Sequence, residues 1–370
     1  MRRLLVLNLF DLPVSVGLNY WWCGGFMLGS FLVAQVASGF VLSCFYSPGV
    51  GSFEAVVGLL GEDLYLWLVR YFHIWGVTFI FGWLYIHMAR SLYYSSYVKK
   101  GVWNVGFVLY LIMMVEAFLG YVLPWHQMSY WAATALTSDA SSVPFVGGMV
   151  YEFVVGGFSV TSLFLSRAYS AHICMGFILL GLSVVHLFYL HDKGSNDPIS
   201  VGGSYGDAVR FHSFFTFKDG LVLGWSVWFF VGALWYSPDG LTDCAGYLEA
   251  DPLVTPLSIK PEWYFLIFYA MLRSVDSKVG GLVLVVGFLF LLWLPSCNLS
   301  CVYEIARQYA FWFWVSSFFS LTYLGACHPE FPYSGLSLFY SGVVVLLVFL
   351  YKVFWVMPFG YFSLFCVLGS

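Results

Sequence analysis

Eight long apolar stretches divide this chain, and they constrain its fold more than any other feature of the sequence. A helix that crosses a membrane needs roughly 20 mostly apolar residues. The stretches are too long for barrel strands and do not alternate as barrel strands do. The sequence therefore predicts an all-α polytopic membrane protein with eight transmembrane helices. We name the predicted spans A to H, near residues 26–46, 71–92, 103–124, 168–190, 220–237, 279–295, 309–326 and 337–357.

Composition supports a membrane location and excludes several other classes of protein. Charged residues make up only 9% of the chain and hydrophobic residues 61%, whereas a soluble domain has about 25% charged residues. We therefore expect a lipid bilayer as the surroundings. The formal net charge of −4 gives no reason to expect a nucleic-acid partner. The eight cysteines form no CxxC pair, so we interpret them as small buried apolar residues.

Charge distribution predicts the orientation of the spans. An even number of spans places both termini on one side of the membrane. On that topology the N-terminal side carries twice as many Lys and Arg residues as the other side. The positive-inside rule then places both termini in the cytoplasm or in the mitochondrial matrix. The two long loops, 125–167 and 238–278, face the opposite, positive (P) side.

Four of the eight histidines fall inside predicted spans, in two pairs with equal spacing. His73 and His87 lie in span B, and His172 and His186 lie in span D, 14 residues apart in each case. Fourteen residues rise about 21 Å along a helix and return to nearly the same face. Spans B and D run in the same direction, so their histidines match in depth.

This arrangement predicts two bis-histidine sites stacked across the membrane, a good axial ligand set for haem. A satisfied polar side chain or a proton relay is the alternative for any single intramembrane histidine. Zinc is less favoured, since neither depth offers a cysteine or a carboxylate as a further ligand.

Glycines with the same 14-residue spacing occur in the neighbouring spans. Gly25 and Gly39 lie in span A, and Gly106 and Gly120 lie in span C. A glycine at each haem level would let the backbone approach a wide porphyrin. Ordinary packing of helices through small residues is the alternative.

Two arginines lie three residues from histidines of span B. Arg70 precedes His73, and Arg90 follows His87. A guanidinium at either membrane face could pair with a haem propionate. An interfacial anchor for the helix end is the alternative interpretation.

Several polar motifs occur in order along nearly the whole chain. They are RYFHIWG at 70–76, SLYYSSY at 91–97, GYVLPWHQMSYW at 120–131, GGFSV at 156–160, LHDKGSNDP at 190–198 and IKPEWYFLIFYAMLRS at 259–274. With these motifs the chain resembles the mitochondrial cytochrome b family, the membrane core of ubiquinol–cytochrome c reductase (respiratory complex III). The resemblance implies a di-haem four-helix bundle of spans A–D over residues 1–210, and helices E–H with the PEWY loop over residues 211–370.

The resemblance implies two b-type haems and assigns their ligands. His73 and His172 would hold the low-potential haem on the P side. His87 and His186 would hold the high-potential haem nearer the matrix. The four equally spaced glycines fall on the haem-packing glycines of the family.

The resemblance also implies a P-side site for quinol oxidation around the PEWY string at 261–264. A carboxylate near the P face can accept a phenolic proton and release it to water, and Glu262 is the candidate. An ordinary solvated glutamate is the alternative when the string is taken alone. The other expected residues of this site are Tyr264, Pro261, Tyr121, Trp131 and Ala132.

Four residues depart from the pattern of the family. Ala132 and His126 stand where the family usually has glycine. We expect the added Cβ of Ala132 to narrow the quinol pocket, and we expect His126 to face an altered loop, or else to perturb the quinol pocket or carry protons. Asp276 replaces a familiar proline. Glu116 is a carboxylate in the middle of span C, where the family is neutral. Such a residue is costly and usually functional. Proton uptake coupled to haem reduction and a protonated structural role are both open for it.

A matrix-side site for quinone reduction is the second site that the resemblance implies. His191 and Asp219 would bracket the two carbonyl groups of the quinone, and both are able to donate protons. Ser195 and Lys218 would support them. A first-turn carboxylate favoured by the helix dipole is an alternative role for Asp219.

The predicted function is electron transfer between ubiquinol and ubiquinone as the catalytic, proton-translocating subunit of ubiquinol–cytochrome c reductase. The resemblance implies a Rieske-type iron–sulfur protein, a c-type cytochrome and other complex III subunits as partners, and a homodimer of the complex. It implies the mitochondrial inner membrane, with both termini in the matrix. The alternative is a proton-coupled transporter with an intramembrane His/Glu relay, although the inverted repeats expected of many transporters are not evident.

Overall fold

The computed structural model describes residues 10–198, 207–296 and 302–354, which are mostly helical. One short antiparallel sheet joins β1 (Pro13–Ser15) to β2 (Ala208–Arg210). The main helices are α1 (Gly24–Ser43), α2 (Leu64–Tyr93), α3 (Lys100–Val122), α4 (Gln127–Ser141), α5 (Gly147–Val155), α6 (Ser162–Lys193), α7 (Phe211–Tyr236), α8 (Leu266–Arg273), α9 (Lys278–Trp293), α10 (Ile305–Ala326) and α11 (Tyr333–Phe349).

Shorter helical segments connect or extend these helices. Two three-residue turns, Ser52–Glu54 and Leu60–Glu62, flank the π-helix Ala55–Leu59. A second π-helix, Leu350–Phe354, continues α11. The 3₁₀ turns are Tyr20–Cys23, Ser96–Val98, Cys244–Tyr247 and Trp263–Phe265.

The predicted polytopic all-α membrane fold is confirmed. In the described part of the chain, six helices are long and apolar enough to cross a membrane, and they correspond to predicted spans A to E and H. Span F corresponds to α9, which has 16 residues, and span G to α10, which has 22 residues but is less apolar. The count of eight spans therefore stays a prediction. The end of span H, beyond residue 354, lies outside the described residues.

Local sequence explains where the two histidine-bearing helices begin and end. Asp63 caps α2, because its carboxylate accepts the backbone N–H groups of Tyr65 at 3.0 Å and Leu66 at 2.9 Å. Such a cap stabilises a helix by about 1 kcal/mol. Helix α6 runs to Gly194, whose φ of +67° suits glycine. Both helices are continuous over the histidine pairs, so the 14-residue spacing becomes a rise of about 21 Å.

Helix packing arranges the first four long helices as two tight pairs. Helix α1 packs along α2, and α3 packs along α6. Each pair thus joins a glycine-bearing helix to a histidine-bearing helix. The histidine-bearing helices α2 and α6 face each other across a gap that the paired imidazoles bridge.

An apolar core joins the two predicted regions of the chain. Phe81 and Tyr110, from the first region, share a buried cluster with Tyr264, Phe311 and Val344 from the second. Phe81 and Tyr264 stack with their ring centres 4.0 Å apart. Close backbone packing adds to this, because α10 approaches the Leu266 carbonyl at a glycine, Gly325. The division at residues 210 and 211 stays a prediction.

The N-terminal segment and the segment after α6 lie at the same end of the bundle. Pro13 pairs with Arg210 in the sheet, and Arg210 lies 3.4 Å from the carboxylate of Asp11. This agrees with the prediction that the chain crosses the membrane four times between the two segments, which returns it to the same side. Large apolar side chains remain exposed along the outward faces of the long helices, for example Val184 on α6 and Trp228 on α7, as expected where lipid covers them.

Candidate functional site

Two imidazole pairs face each other between α2 and α6. The ring centres of His73 and His172 lie 6.3 Å apart with an angle of 79° between the rings. Those of His87 and His186 lie 6.4 Å apart at 62°. We call His73 and His172 the first imidazole level, and His87 and His186 the second imidazole level.

The separation at both levels fits one metal atom between two ring nitrogens. Two metal–nitrogen bonds of about 2 Å, with about 1 Å from each nitrogen to its ring centre, add up to about 6 Å. Among the described residues, no group of three or more His, Cys, Asp or Glu side chains could hold a metal ion. The donor set at each level is thus two imidazoles, the axial set of a haem.

The four glycines lie against the four imidazoles, one glycine to each ring. A Cβ at Gly120 would lie 2.7 Å from Cε1 of His172, and a Cβ at Gly106 would lie 2.9 Å from Cε1 of His186. The corresponding distances are 3.1 Å from Gly39 to His73 and 3.5 Å from Gly25 to His87. Clearance for the rings is therefore a third explanation for these glycines, beside porphyrin clearance and helix packing.

Hydrogen bonds orient both imidazoles of the first level. Nδ1 of His73 lies 2.9 Å from the Ser38 hydroxyl oxygen, whose own proton is directed to backbone carbonyls of α1. Nδ1 of His172 lies 3.0 Å from the backbone oxygen of Glu116. When each Nδ1–H donates to its acceptor, the Nε2 lone pair is free to bind a metal.

Arg90 and Trp22 provide donors near the second level. A nitrogen of the Arg90 guanidinium lies 3.4 Å from Nδ1 of His87, and the guanidinium stands 5.1 Å above the Trp22 ring. Nε of Arg90 and Nε1 of Trp22 are buried and have no hydrogen-bond partner in the part of the chain that the structure describes. Buried N–H groups without partners suit an anionic group such as a propionate.

A cavity of about 290 Å³ lies beside the first level and extends to the PEWY loop. We call it the first-level cavity. It joins the imidazoles His73 and His172 to candidate residues of the quinol site. The polar and aromatic residues on its wall include Arg70, Glu116, Tyr121, His126, Asp243, Glu262 and Tyr264.

Glu262 lies in the cavity wall, and the pKa of its carboxyl is raised. It precedes the 3₁₀ turn Trp263–Phe265. Burial, with a smaller contribution from the negative charge of Asp243, raises the pKa of the Glu262 carboxyl to about 7. A carboxyl with such a pKa can accept and release a proton near neutral pH. Tyr264 is buried beside it, and its backbone oxygen accepts a hydrogen bond of 2.5 Å from the Tyr85 hydroxyl.

The structure does not bring every expected quinol-site residue to this cavity. Pro261, Trp131 and Ala132 are absent from its described wall. Trp131 instead donates from its indole N–H to Gln127 at 3.1 Å and packs against the buried cluster of α3, α4 and α6. The added Cβ of Ala132 therefore does not narrow the first-level cavity.

His126 lies in the wall of the first-level cavity and also begins α4. Its Nδ1 accepts the backbone N–H of Ser129 at 3.0 Å. Burial and the nearby Arg70 charge lower the pKa of His126 to about 4, so the ring is neutral at physiological pH. With Nδ1 occupied as an acceptor, the proton of the neutral ring resides on Nε2.

The expected quinone-site residues lie at the other end of the bundle, with His191 on α6, Ser195 just after α6, and Lys218 and Asp219 on α7. Lys218 donates to the Leu18 carbonyl at 2.9 Å and stands 4.5 Å above the Phe214 ring. Asp219 is buried, whereas His191 and Ser195 are partly exposed. The described residues show no direct hydrogen bond between His191 and Asp219.

Comparisons with known proteins agree on one family. The family model described as Cytochrome b/b6/petB matches residues 9–194, and the model described as Cytochrome b(C-terminal)/b6/petD matches residues 249–349. The chain is 41% identical over 340 residues to cytochrome b of Brachionus plicatilis, covering 90% of this chain and 89% of the relative. The chain belongs to the cytochrome b family. The resemblance carried by the motifs is thus confirmed.

A solved structure supports the same fold. It is described as a hyperthermophilic respiratory Complex III, and it superposes with a TM-score of 0.90 at 27% sequence identity, covering 98% of both chains. The order of the helices and their packing are therefore those of a cytochrome b. Membership of this family implies haem binding, in agreement with the two imidazole levels.

Some residues that orient the first level of this cytochrome b had no role in the sequence predictions. Ser38 contacts His73, and the side-chain amide of Gln35 donates to the His73 carbonyl at 2.8 Å. Gly76 makes room for this amide, since a Cβ there would lie 2.0 Å from its nitrogen. The available signal was the pair of polar side chains, three residues apart, near the middle of a mostly apolar span.

Proposed function

We propose that this chain takes electrons from ubiquinol at the first-level cavity, passes them across the membrane and delivers them to ubiquinone at the opposite end. The chain is the electron-transfer subunit of the quinol–cytochrome c reductase and so a part of a redox enzyme complex. The observation that carries the proposal is the pair of imidazole levels, 14 residues apart, beside a cavity that reaches Glu262.

Two b-type haems are the proposed cofactors. His73 and His172 hold the haem nearer the P side, and His87 and His186 hold the other. Each haem iron, when bound, accepts and gives up one electron. Ser38 and Glu116 orient the first pair of imidazoles. The N–H groups of Arg90 and Trp22 that have no partner among the described residues suit a propionate at the second level.

Quinol oxidation takes place in the first-level cavity. Glu262 accepts a phenolic proton, since its pKa of about 7 permits both uptake and release at physiological pH. Tyr121 and Tyr264 line the same cavity and give the quinol ring aromatic neighbours. Arg70, on the same wall, pairs with a propionate of the P-side haem. Pro261, in the PEWY loop, and Trp131 and Ala132, on α4, support the quinol site from outside the cavity wall.

Quinone reduction takes place at the other end of the bundle, on the matrix side. His191 and Asp219 donate the two protons that the reduced quinone requires. Ser195 and Lys218 support them, and Lys218 also fixes the N-terminal segment through its bond to Leu18. Proton release at one end and proton uptake at the other make the electron transfer proton-translocating.

The remaining parts of the proposed assembly are those that the resemblance to mitochondrial cytochrome b implies. A Rieske-type iron–sulfur protein takes the other electron from quinol and passes it to a c-type cytochrome, with further complex III subunits in a homodimeric complex. The complex lies in the mitochondrial inner membrane, with both termini of this chain in the matrix. A transporter with a His/Glu relay is disfavoured, because such a relay does not require paired imidazoles at two depths.

Stopped-flow spectroscopy of the purified complex tests this assignment of ends. Glu262→Gln should slow the reduction of both haems by quinol. Asp219→Asn should leave that reduction intact but slow haem reoxidation by quinone. Asp192→Asn is the matched control, since Asp192 is exposed at the same end and pairs with Lys193. Unchanged reoxidation in the Asp219 variant would contradict the proposed quinone site.

A further inference from the structure

Glu116 presents two oxygens to one nitrogen of His172. It lies in the C-terminal part of α3, with its side chain 14% exposed. Its carboxylate Oε1 lies 3.1 Å from Nδ1 of His172, and its backbone oxygen lies 3.0 Å from the same nitrogen. The Nδ1–H of a neutral imidazole can donate to both acceptors. The carboxylate therefore acts on the ring of the first level, one turn of helix before Gly120.

The surroundings accommodate this carboxylate without fully satisfying it. Gly176 lies on α6, one turn after His172, and a Cβ there would come within 3.3 Å of Oε1. Glu116 also lines the first-level cavity. Its second oxygen, Oε2, is buried and has no hydrogen-bond partner within the described ranges. A half-satisfied buried carboxylate destabilises a fold, so packing alone does not explain this residue.

We propose that Glu116 is a positioning residue that orients His172 through Nδ1 and lowers the reduction potential of the haem at the first level. This rests on the proposed function, since it requires a haem at that level. A carboxylate acceptor at Nδ1 makes the imidazole a stronger donor to the metal. The oxidised iron carries one more positive charge than the reduced iron, so a nearby negative charge favours the oxidised state.

The second level carries the opposite charge at the same ring atom. There the Arg90 guanidinium lies 3.4 Å from Nδ1 of His87, and a positive charge favours the reduced iron. Among the four imidazoles, His172 is the one with a carboxylate at Nδ1 in the described structure. The proposed lowering of the reduction potential is therefore specific to the first level.

An optical redox titration of the purified complex tests the role of Glu116. Glu116→Gln keeps the size of the side chain and an acceptor oxygen but removes the charge. We expect both haems to be retained. At a fixed ambient potential, the ratio of reduced to oxidised haem at the first level should rise at least tenfold, which is 59 mV for a one-electron couple. The second level should not change. Glu152→Gln, which removes an exposed carboxylate on α5, should move neither potential.

A second variant keeps the test decisive if Glu116→Gln fails to load haem. Glu116→Asp keeps the charge but draws the carboxylate away from Nδ1 by one methylene, and it should raise the first-level potential by a smaller amount. An unchanged first-level potential in a variant that retains both haems overturns the proposal. A wild-type complex with no haem at the first level would instead refute the proposed function.

Discussion

Gly120→Ala should weaken haem binding at the first level, and the size of the loss follows from the distance between the new Cβ and the His172 ring. The new methyl carbon would lie 2.7 Å from Cε1 of His172 and within 3.3 Å of both ring nitrogens. Ordinary contacts begin at 3.4 Å, so the ring has to move by about 0.7 Å. Overpacking of this kind costs about 1–3 kcal/mol, which corresponds to a loss of about 5- to 150-fold in binding.

Gly25→Ala and Gly29→Ala are the control variants for this prediction. A Cβ at Gly25 would lie 3.5 Å from the His87 ring, an ordinary contact, and a Cβ at Gly29 would have no neighbour within 4 Å among the residues that the structure describes. Haem per polypeptide, measured as the pyridine haemochrome with the redox difference spectrum, should fall in Gly120→Ala and stay close to wild type in the other two variants. Equal haem loss in Gly25→Ala and Gly120→Ala would refute the reasoning, because porphyrin clearance would then govern both positions.

Three further predictions concern the quinol site and the helix packing. The quinol oxidation rate should fall as the pH decreases through about 7, because the Glu262 carboxyl becomes protonated and stops accepting protons. In Glu262→Gln the rate should be about 10²–10⁴-fold lower and should no longer depend on pH in this range. A variant whose rate still falls with decreasing pH would contradict the prediction. His126→Gly should change the KM for quinol by the same factor at pH 6 and pH 8, since the pKa of His126 is lowered to about 4 by burial; a factor that differs between the two pH values would count against a neutral ring. Gly325→Ala should destabilise the protein by about 1–3 kcal/mol in a thermal unfolding assay, since its Cβ would lie 2.2 Å from the Leu266 carbonyl oxygen. Gly335→Ala, whose Cβ would have no neighbour within 4 Å in the described part of the chain, should not.

The spacing of the histidines was sufficient to predict the geometry of the imidazole levels. A 14-residue separation on two parallel helices specifies both the face and the depth of each ring, because the helix repeat is regular. The structure accordingly pairs His73 with His172 and His87 with His186. The apolar stretches likewise located the long helices, although their ends depended on caps such as Asp63 that hydropathy does not detect.

The environment of the sites could not be predicted in the same way. The contact between Glu116 and His172 depends on how α3 rotates against α6, and sequence separation does not determine this rotation. The absence of Trp131 and Ala132 from the cavity wall depends on how the loop after α3 folds against α4. His126 was expected to face an altered loop, and it both caps α4 and lines the first-level cavity.

The number of haems per chain is the most direct test of the central claim. It can be measured on the purified complex from the pyridine haemochrome per polypeptide, together with a reduced-minus-oxidised spectrum resolved by redox titration. Two imidazole levels predict two b-type haems with separate potentials, the lower at His73 and His172. A single haem per chain would mean that one level is structural, and the path for electrons across the membrane would be lost.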